Sequence, residues 1–275
     1  MRSEMDSGEL NSPSDDGKEL IADSGSETSA LKQSQILSKV LSPAVRLFLR
    51  ALLERVEDLQ FSIEAGDRQL LSGCIKQVTV SARKAVYKGL CLSQVRVVGQ
   101  GIRTNLGQVI RRRQPLRLLE EFPVAGEVLW YQADLNASLQ SPLLANGLTE
   151  FLLILLKLGL DESNTWASRS PTEVDLQAPR IAVDPNRLTI SATLVAANAS
   201  PTQVVLRTGF NLINGNQLQL CDPERLPYLG SSEGVPLDRL DGVSFDLGST
   251  VCLKELLLEA GQIRCQGRVM VTPEV

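Results

Sequence analysis

Fifty-two consecutive residues, Arg68 to Leu119, carry eleven basic side chains and no Asp or Glu. The cations are Arg68, Lys76, Arg83, Lys84, Lys88, Arg96, Arg103, Arg111, Arg112, Arg113 and Arg117. They sit among alternating apolar residues, so the charge is expected on folded strands, where a surface of one sign gathers polyanions. Arg111-Arg112-Arg113, between Val109-Ile110 and Gln114-Pro115, is the densest phosphate-binding candidate, because each guanidinium offers a planar fork of donors to phosphate oxygens. The competing reading of that triplet is a solvated loop.

Other chemistries find few residues to carry them. The chain has no histidine, the commonest general base and transition-metal ligand. No GxGxxG, Walker-type loop, GxSxG elbow or zinc ligand set is present, and Asp134, Glu150, Asp184 and Asp241 are scattered. No catalytic group, metal site or cofactor is therefore expected, and the reading is a binding protein rather than an enzyme. Cys74, Cys91, Cys221, Cys252 and Cys265 are odd in number, lack CxxC spacing and lie in or beside apolar runs. They read as small buried residues in a reducing compartment.

The net charge of −4 hides a dipolar distribution: residues 1 to 30 hold 2 basic and 8 acidic groups against the cationic island downstream. Met1 to Ser34 is Ser-, Asp-, Glu- and Gly-rich with few large apolar residues, and is expected to be a disordered acidic tail. It solubilises the chain, or it screens the island. Residues 35–275 are expected to form one α+β domain. No apolar signal segment follows Met1, and Leu143 to Leu160 is interrupted by Asn146, Glu150 and Lys157, so neither export nor a membrane span is expected. The expected location is cytoplasmic, peripheral on a membrane.

The elements that must position the cations follow from periodicity. Gln35 to Val56 has helical spacing, with Ser42 as N-cap and Pro43 at the first helical position. Lys39, Arg46 and Arg50 form one stripe and apolar residues cover most of the rest, which fits a helix packed on a sheet, or alternatively an interfacial membrane helix. Strands are expected at Leu59 to Glu64, Ile75 to Arg83 and Leu90 to Val98, with a bulge near Ser93-Gln94, and at Val124 to Leu135. Ser141-Pro142 opens a second, more apolar helix, Leu143 to Leu158. Most of the remainder reads as strand, with a hairpin turn at Asn214-Gly215 and a long loop marked by Pro223, Pro227 and Pro236. Leu90 to Arg103 and Val251 to Arg264 are weakly alike, as two helix-then-sheet units or by chance.

Several stretches together carry a resemblance: VLSPAVRLFLR (Val40 to Arg50), LLSGCIKQVTV (Leu70 to Val80), AVYKGLCLSQVRV (Ala85 to Val97), GQGIRTN (Gly99 to Asn105), FPVAGEV (Phe122 to Val128), DLNASLQSPLL (Asp134 to Leu144) and FDLGSTVCLKEL (Phe245 to Leu256). Over roughly residues 35 to 273 the chain resembles the LmeA-like phospholipid-binding family. The resemblance implies a fold similar to tubular lipid-binding proteins, a long curved antiparallel β-sheet wrapped around two long apolar α-helices and enclosing a hydrophobic channel. It also implies binding of anionic phospholipid such as phosphoinositides, with an envelope-lipid role. Some relatives are exported, whereas this chain shows no signal segment.

Joined to the residues, the expectation is non-catalytic binding of anionic phospholipid with transient docking on a membrane surface. The head group is assigned to Arg111, Arg112, Arg113, Arg117, Arg103 and Lys88. The acyl channel is assigned to Leu52, Val80, Leu92, Leu148, Phe151 and Leu155. The alternative is a nucleic-acid-binding or acidic-partner-binding domain using the basic face of residues 68–119. The single aromatic of the island, Tyr87, and a pI near 5.2 weigh against nucleic acid, which is not expected as a partner. An enzyme acting on lipid is a further reading that no residue supports.

Overall fold

The computed structural model describes residues 41–66, 69, 72–106, 108–109, 114–160, 169–197 and 199–273. The acidic segment 1–34, Arg68 and the triplet Arg111-Arg112-Arg113 lie outside the described residues.

Val45, Phe48, Leu49 and Leu52 recur at i, i+3, i+4 and i+7, the spacing that gathers side chains on one helical face. They belong to helix α1 (Ser42–Leu52), whose Arg46 and Arg50 are exposed. Ser42 is not its N-cap, because Leu41 before it already has right-handed helical angles (φ −71°, ψ −46°). Leu53 turns extended and ends the helix; Arg55 then bridges Val86, laying the chain beside the sheet.

Strands β1 (Asp58–Glu64), β2 (Cys74–Tyr87), β3 (Leu90–Arg103) and β4 (Phe122–Tyr131) pair in sequence order. The sheet continues through β12 (Gln262–Val271) to β11 (Val251–Glu259), six strands in all. A second sheet has the order β10-β8-β7-β6-β5, built from β5 (Val174–Asp184), β6 (Arg187–Ala196), β7 (Thr202–Ile213), β8 (Gln217–Arg225) and β10 (Ser244–Asp246), with β9 (Val235–Pro236) beside β8. Every described strand pairing is antiparallel. The Asn214-Gly215 turn is present, both residues having positive φ (52° and 80°) as a two-residue hairpin turn requires.

The expected single sheet around two long helices is thus resolved into two sheets and, among the described residues, three α-helices of 11, 7 and 14 residues. The reason shows in β6. Leu188, Ile190, Ala192 and Leu194 are buried in the core, and Thr189 and Ser191 on the opposite face are buried as well. A strand covered on both sides belongs to a packed centre, not to a wall around a channel.

Two further expectations change. The strand forecast through Leu135 stops at Tyr131, where helix α2 (Gln132–Ser138) begins. β2 and β3 keep one register from Cys74↔Arg103 to Tyr87↔Leu90, so no bulge occurs at Ser93-Gln94; the left-handed residue nearby is Lys84 of β2 (φ 44°). The likeness of Leu90–Arg103 to Val251–Arg264 marks no repeated unit, since the first is one strand and the second crosses the turn from β11 to β12.

Helix α3 (Pro142–Leu155) starts as its sequence requires: Pro142 stands in the first turn and Ser141 Oγ accepts from Leu144 N at 3.2 Å. Leu148, Leu152, Leu153 and Leu155 place it in the larger core cluster, together with buried residues of β5, β6 and β7. A smaller cluster joins Leu41 and Val45 to Ile75, Val78, Ile102, Leu106 and Phe122 of the first sheet and its margin.

Helix α2 joins the two sheets with side chains. Asn136 Oδ1 accepts from Ile181 N (2.9 Å) and its Nδ2 donates to Ile181 O (2.7 Å), while Gln132 Oε1 accepts from Val183 N (2.7 Å). The edge of β5 is thereby satisfied where no strand continues it. The free side of β11 is met by hairpin tips: Leu253 N donates to Gly215 O (2.6 Å) and Asn186 N to Leu258 O (2.9 Å). Gly215 permits that approach, because a Cβ there would lie 2.8 Å from Leu253 O.

Candidate functional site

Alternation along the first sheet sends Val78 and Val80 of β2, Val97 of β3 and Val124 of β4 to the face beneath α1. Val80 lies opposite Val97, and Gly99 stands between Val78 and Val124 in the next row. Having no side chain, Gly99 leaves a gap in an otherwise branched floor; a Cβ there would come within 3.0 Å of the Phe122 ring and 3.1 Å of Ile102 Cδ1. Val45, Phe48, Leu49 and Leu52 of α1 form the roof, and Leu116, Leu118 and Val271 close the sides. The cavity, partly open to solvent, measures about 250 Å³ and its surface is wholly apolar. Thr104 also lines it, yet adds no polar surface, since its Oγ1 donates to Gly73 O at 3.2 Å.

The lip of this cavity is an antiparallel bridge between Thr104 and Leu118. Asn105 N donates to Arg117 O (3.2 Å) and Leu119 N to Arg103 O (2.9 Å). Ile102, Thr104, Leu116 and Leu118 face the cavity, so Arg103 and Arg117, between them, face outward and are exposed. Asn105, 7% exposed, ties the two strands of this bridge together: its Nδ2 donates to Pro115 O (3.0 Å) and its Oδ1 accepts from Arg117 N (2.8 Å). The Arg103–Glu120 pair is long (3.7 Å) and both side chains are more than half exposed, so it holds Arg103 weakly.

The structure brings together Arg103 and Arg117 at the lip and Leu52 and Val80 in the cavity. It puts Lys88 elsewhere, in the β2–β3 turn beside the Tyr87 ring, at the far end of a hairpin roughly 40 Å long by strand geometry. Leu148, Phe151 and Leu155 lie in the larger core against the second sheet, with the Phe151 ring 4.7 Å from that of Phe245. Leu92 is half-buried opposite Ala85, outside both core clusters. Arg111, Arg112 and Arg113 lie outside the described residues. Sequence reasoning missed Phe48, Leu49, Gly99, Leu116 and Leu118. Helical spacing within α1 and the Leu116-Arg117-Leu118 alternation carried a signal for four of them, and nothing singled out Gly99.

The rest of the cationic island is dispersed. Arg83 pairs with Asp58 (3.9 Å) and Lys84 with Glu57 (3.5 Å). A polar cleft of about 440 Å³ crosses the opposite face of the sheet, lined by Arg83, Arg96 and Arg264 but also by Asp58 and Glu127. It is larger than the apolar cavity, yet the two carboxylates within it oppose a polyanion. A wholly apolar cavity is the better container for hydrocarbon.

Among the described residues, the groups with a displaced pKa do not line the cavity. The Glu224 carboxyl is held below its ordinary range by hydrogen bonds from Arg207, and burial pushes the Cys265 thiol up. All five cysteines are free thiols; Cys252 is exposed and the others are half-buried. Among the described residues no group of His, Cys, Asp and Glu could hold a metal ion, and no single helix is long and apolar enough to cross a membrane.

The family described as LmeA-like phospholipid-binding matches residues 33–268, nearly the whole chain. No curated protein and no solved structure matches.

Proposed function

The chain belongs to the LmeA-like phospholipid-binding family, and from that premise we propose that the cavity under α1 receives an acyl segment of an anionic phospholipid whose phosphate is held at the lip. The family is described by phospholipid binding, which supports a binding role. The observation that carries the reading is the wholly apolar cavity of about 250 Å³. Its volume is at the low end for small-molecule sites, which suits part of one acyl chain and not a whole lipid. Each methylene moved from water into it contributes about 0.8 kcal/mol. Arg103 and Arg117 then face the phosphate, and the Arg111-Arg112-Arg113 triplet, outside the described residues, is a further candidate for the same head group. Docking on an anionic bilayer is transient and salt-sensitive, because each cation near such a surface contributes only about 1 kcal/mol.

Native mass spectrometry of the gently purified chain, followed by solvent extraction, tests the reading directly. A stoichiometric phospholipid is expected. A bare polypeptide that also takes up no added phospholipid would refute it. Replacing Arg103 and Arg117 together by Ser removes about 2 kcal/mol of attraction, so binding to anionic vesicles should weaken about thirty-fold while neutral vesicles are bound as before.

A further inference from the structure

The long loop between β8 and β9 has an unusual construction. Its tip, Pro227 to Gly234, shows Tyr228 (62% exposed) and Leu229 (39%) to solvent, and Val235 (65%) follows where the chain rejoins β8 opposite Arg225. Three large apolar side chains exposed within eight residues form a candidate contact surface. The loop is nevertheless firmly held. Leu226 is buried and its N donates to Val205 O (2.9 Å); Leu237 N donates to Pro223 O (2.8 Å) on the return.

Arg207 of β7 does most of the fastening. Its side chain is 18% exposed and reaches Glu224 through Nε (2.8 Å) and Nη2 (2.5 Å). The remaining donors meet Ser231 O (3.2 Å) and Ser232 O (3.0 Å), and Ser231 N closes a turn onto Tyr228 O (3.2 Å). Carbonyls just behind the tip are thus paired within the protein, which lowers the cost of moving the tip out of water. The loop is also ordered before any contact, so little entropy is lost on binding.

We propose that Tyr228, Leu229 and Val235 form a membrane-docking tip that inserts into the interfacial layer of a phospholipid bilayer. Tyrosine favours that layer because its ring is apolar and its hydroxyl stays hydrated. Arg225, exposed beside Val235, faces the phosphates, and Glu233 is the sole charged residue between Leu226 and Pro236. A protein partner is the weaker fit, since stable interfaces need roughly 800 Å² per side and this tip projects three side chains. The proposal rests on the reading of the chain as a phospholipid-binding protein. It adds a surface on the second sheet, separate from the cavity and from the cations at its lip.

The test uses the full chain carrying Tyr228→Ser and Leu229→Ser together, with sedimentation on phosphatidylcholine vesicles containing phosphatidylglycerol. Both positions are exposed, so the melting temperature should stay that of the parent, which a thermal scan checks. The expected result is vesicle affinity at least about tenfold lower, with the lipid carried in the cavity unchanged by native mass spectrometry. A Tyr228→Trp chain should show a blue-shifted emission component on the same vesicles. Unchanged vesicle affinity with lipid still carried overturns the docking tip alone. No carried lipid in the parent chain overturns the cavity reading instead. Loss of a protein partner or of self-association in the double variant, with vesicle affinity intact, also overturns the tip as a bilayer contact.

Discussion

Val80→Phe is the sharpest perturbation of the cavity. Val80 lies on the cavity floor opposite Val97, and its side chain points beneath α1. Phenylalanine adds about four carbons where about four methylenes of an acyl chain would lie, and at about 0.8 kcal/mol each their loss costs about 3 kcal/mol. The dissociation constant should therefore rise roughly a hundred-fold. Overpacking a dense core costs about 1–3 kcal/mol, but space already stands open here, so the unfolding midpoint in urea should barely move. Titration with a fluorescent fatty-acyl probe, beside native mass spectrometry, measures the affinity. Ser81→Phe serves as a control, because that side chain faces the other side of the sheet and lines the polar cleft. A folded Val80→Phe protein that carries lipid as the parent does would refute the assignment of this cavity to the acyl chain. A protein destabilised by several kcal/mol would show that the floor has no room to fill.

Two other changes probe the scaffold. Gly126 of β4 and Gly267 of β12 are direct partners, and a Cβ on either would lie 2.8 Å from Arg96 O or 2.7 Å from Cys252 O, against backbone that cannot yield. Gly126→Ala or Gly267→Ala should cost about 1–3 kcal/mol by urea unfolding, and an unchanged midpoint would contradict the close approach of these strands. Glu224→Gln removes the negative charge that pairs with Arg207 and Arg187, leaving a neutral acceptor, and should cost about 2 kcal/mol near neutral pH. Because the Glu224 pKa is lower folded than unfolded, its contribution is present above the ordinary carboxylate pKa of about 4.3 and fades as pH falls through the folded value. The parent should therefore lose more stability on acidification than Glu224→Gln. Parallel acid limbs in urea melts would contradict this.

What the sequence disclosed was local. The Ser141-Pro142 start of α3 and the Asn214-Gly215 turn are set by chemistry within a few residues, and both stand as read. The wide apolar girth of α1 was visible, but only the sheet decides that Val45, Phe48, Leu49 and Leu52 turn inward while Leu47 stays 70% exposed. Helix α2 was hidden because the apolar rhythm of β4 runs on to Leu135, and seven residues form a helix only when tertiary bonds such as those of Gln132 and Asn136 hold them. The cationic run looked like one surface because charge was counted along the chain. A hairpin of two 14-residue strands then carries Lys88 to one end and Arg103 to the other. Val80 and Leu52 were legible as apolar members of amphipathic elements. Leu148, Phe151 and Leu155 share that character, and nothing in composition separates a side chain facing a cavity from one facing another side chain.

The seam made by Gln132 and Asn136 acts as a ruler. Four residues of helix advance about 6.0 Å, and two residues of strand advance about 6.7 Å, so the two amides fall almost in step with Val183 and Ile181. Another turn would double the mismatch to about 1.4 Å, beyond what a hydrogen bond tolerates. A helix can impersonate a strand for two rungs and little more. The length of α2 is thus tied to the pitch of β5, and inserting a single residue between Gln132 and Asn136 would unzip the junction of the two sheets while leaving every apolar contact of the core its original chemistry.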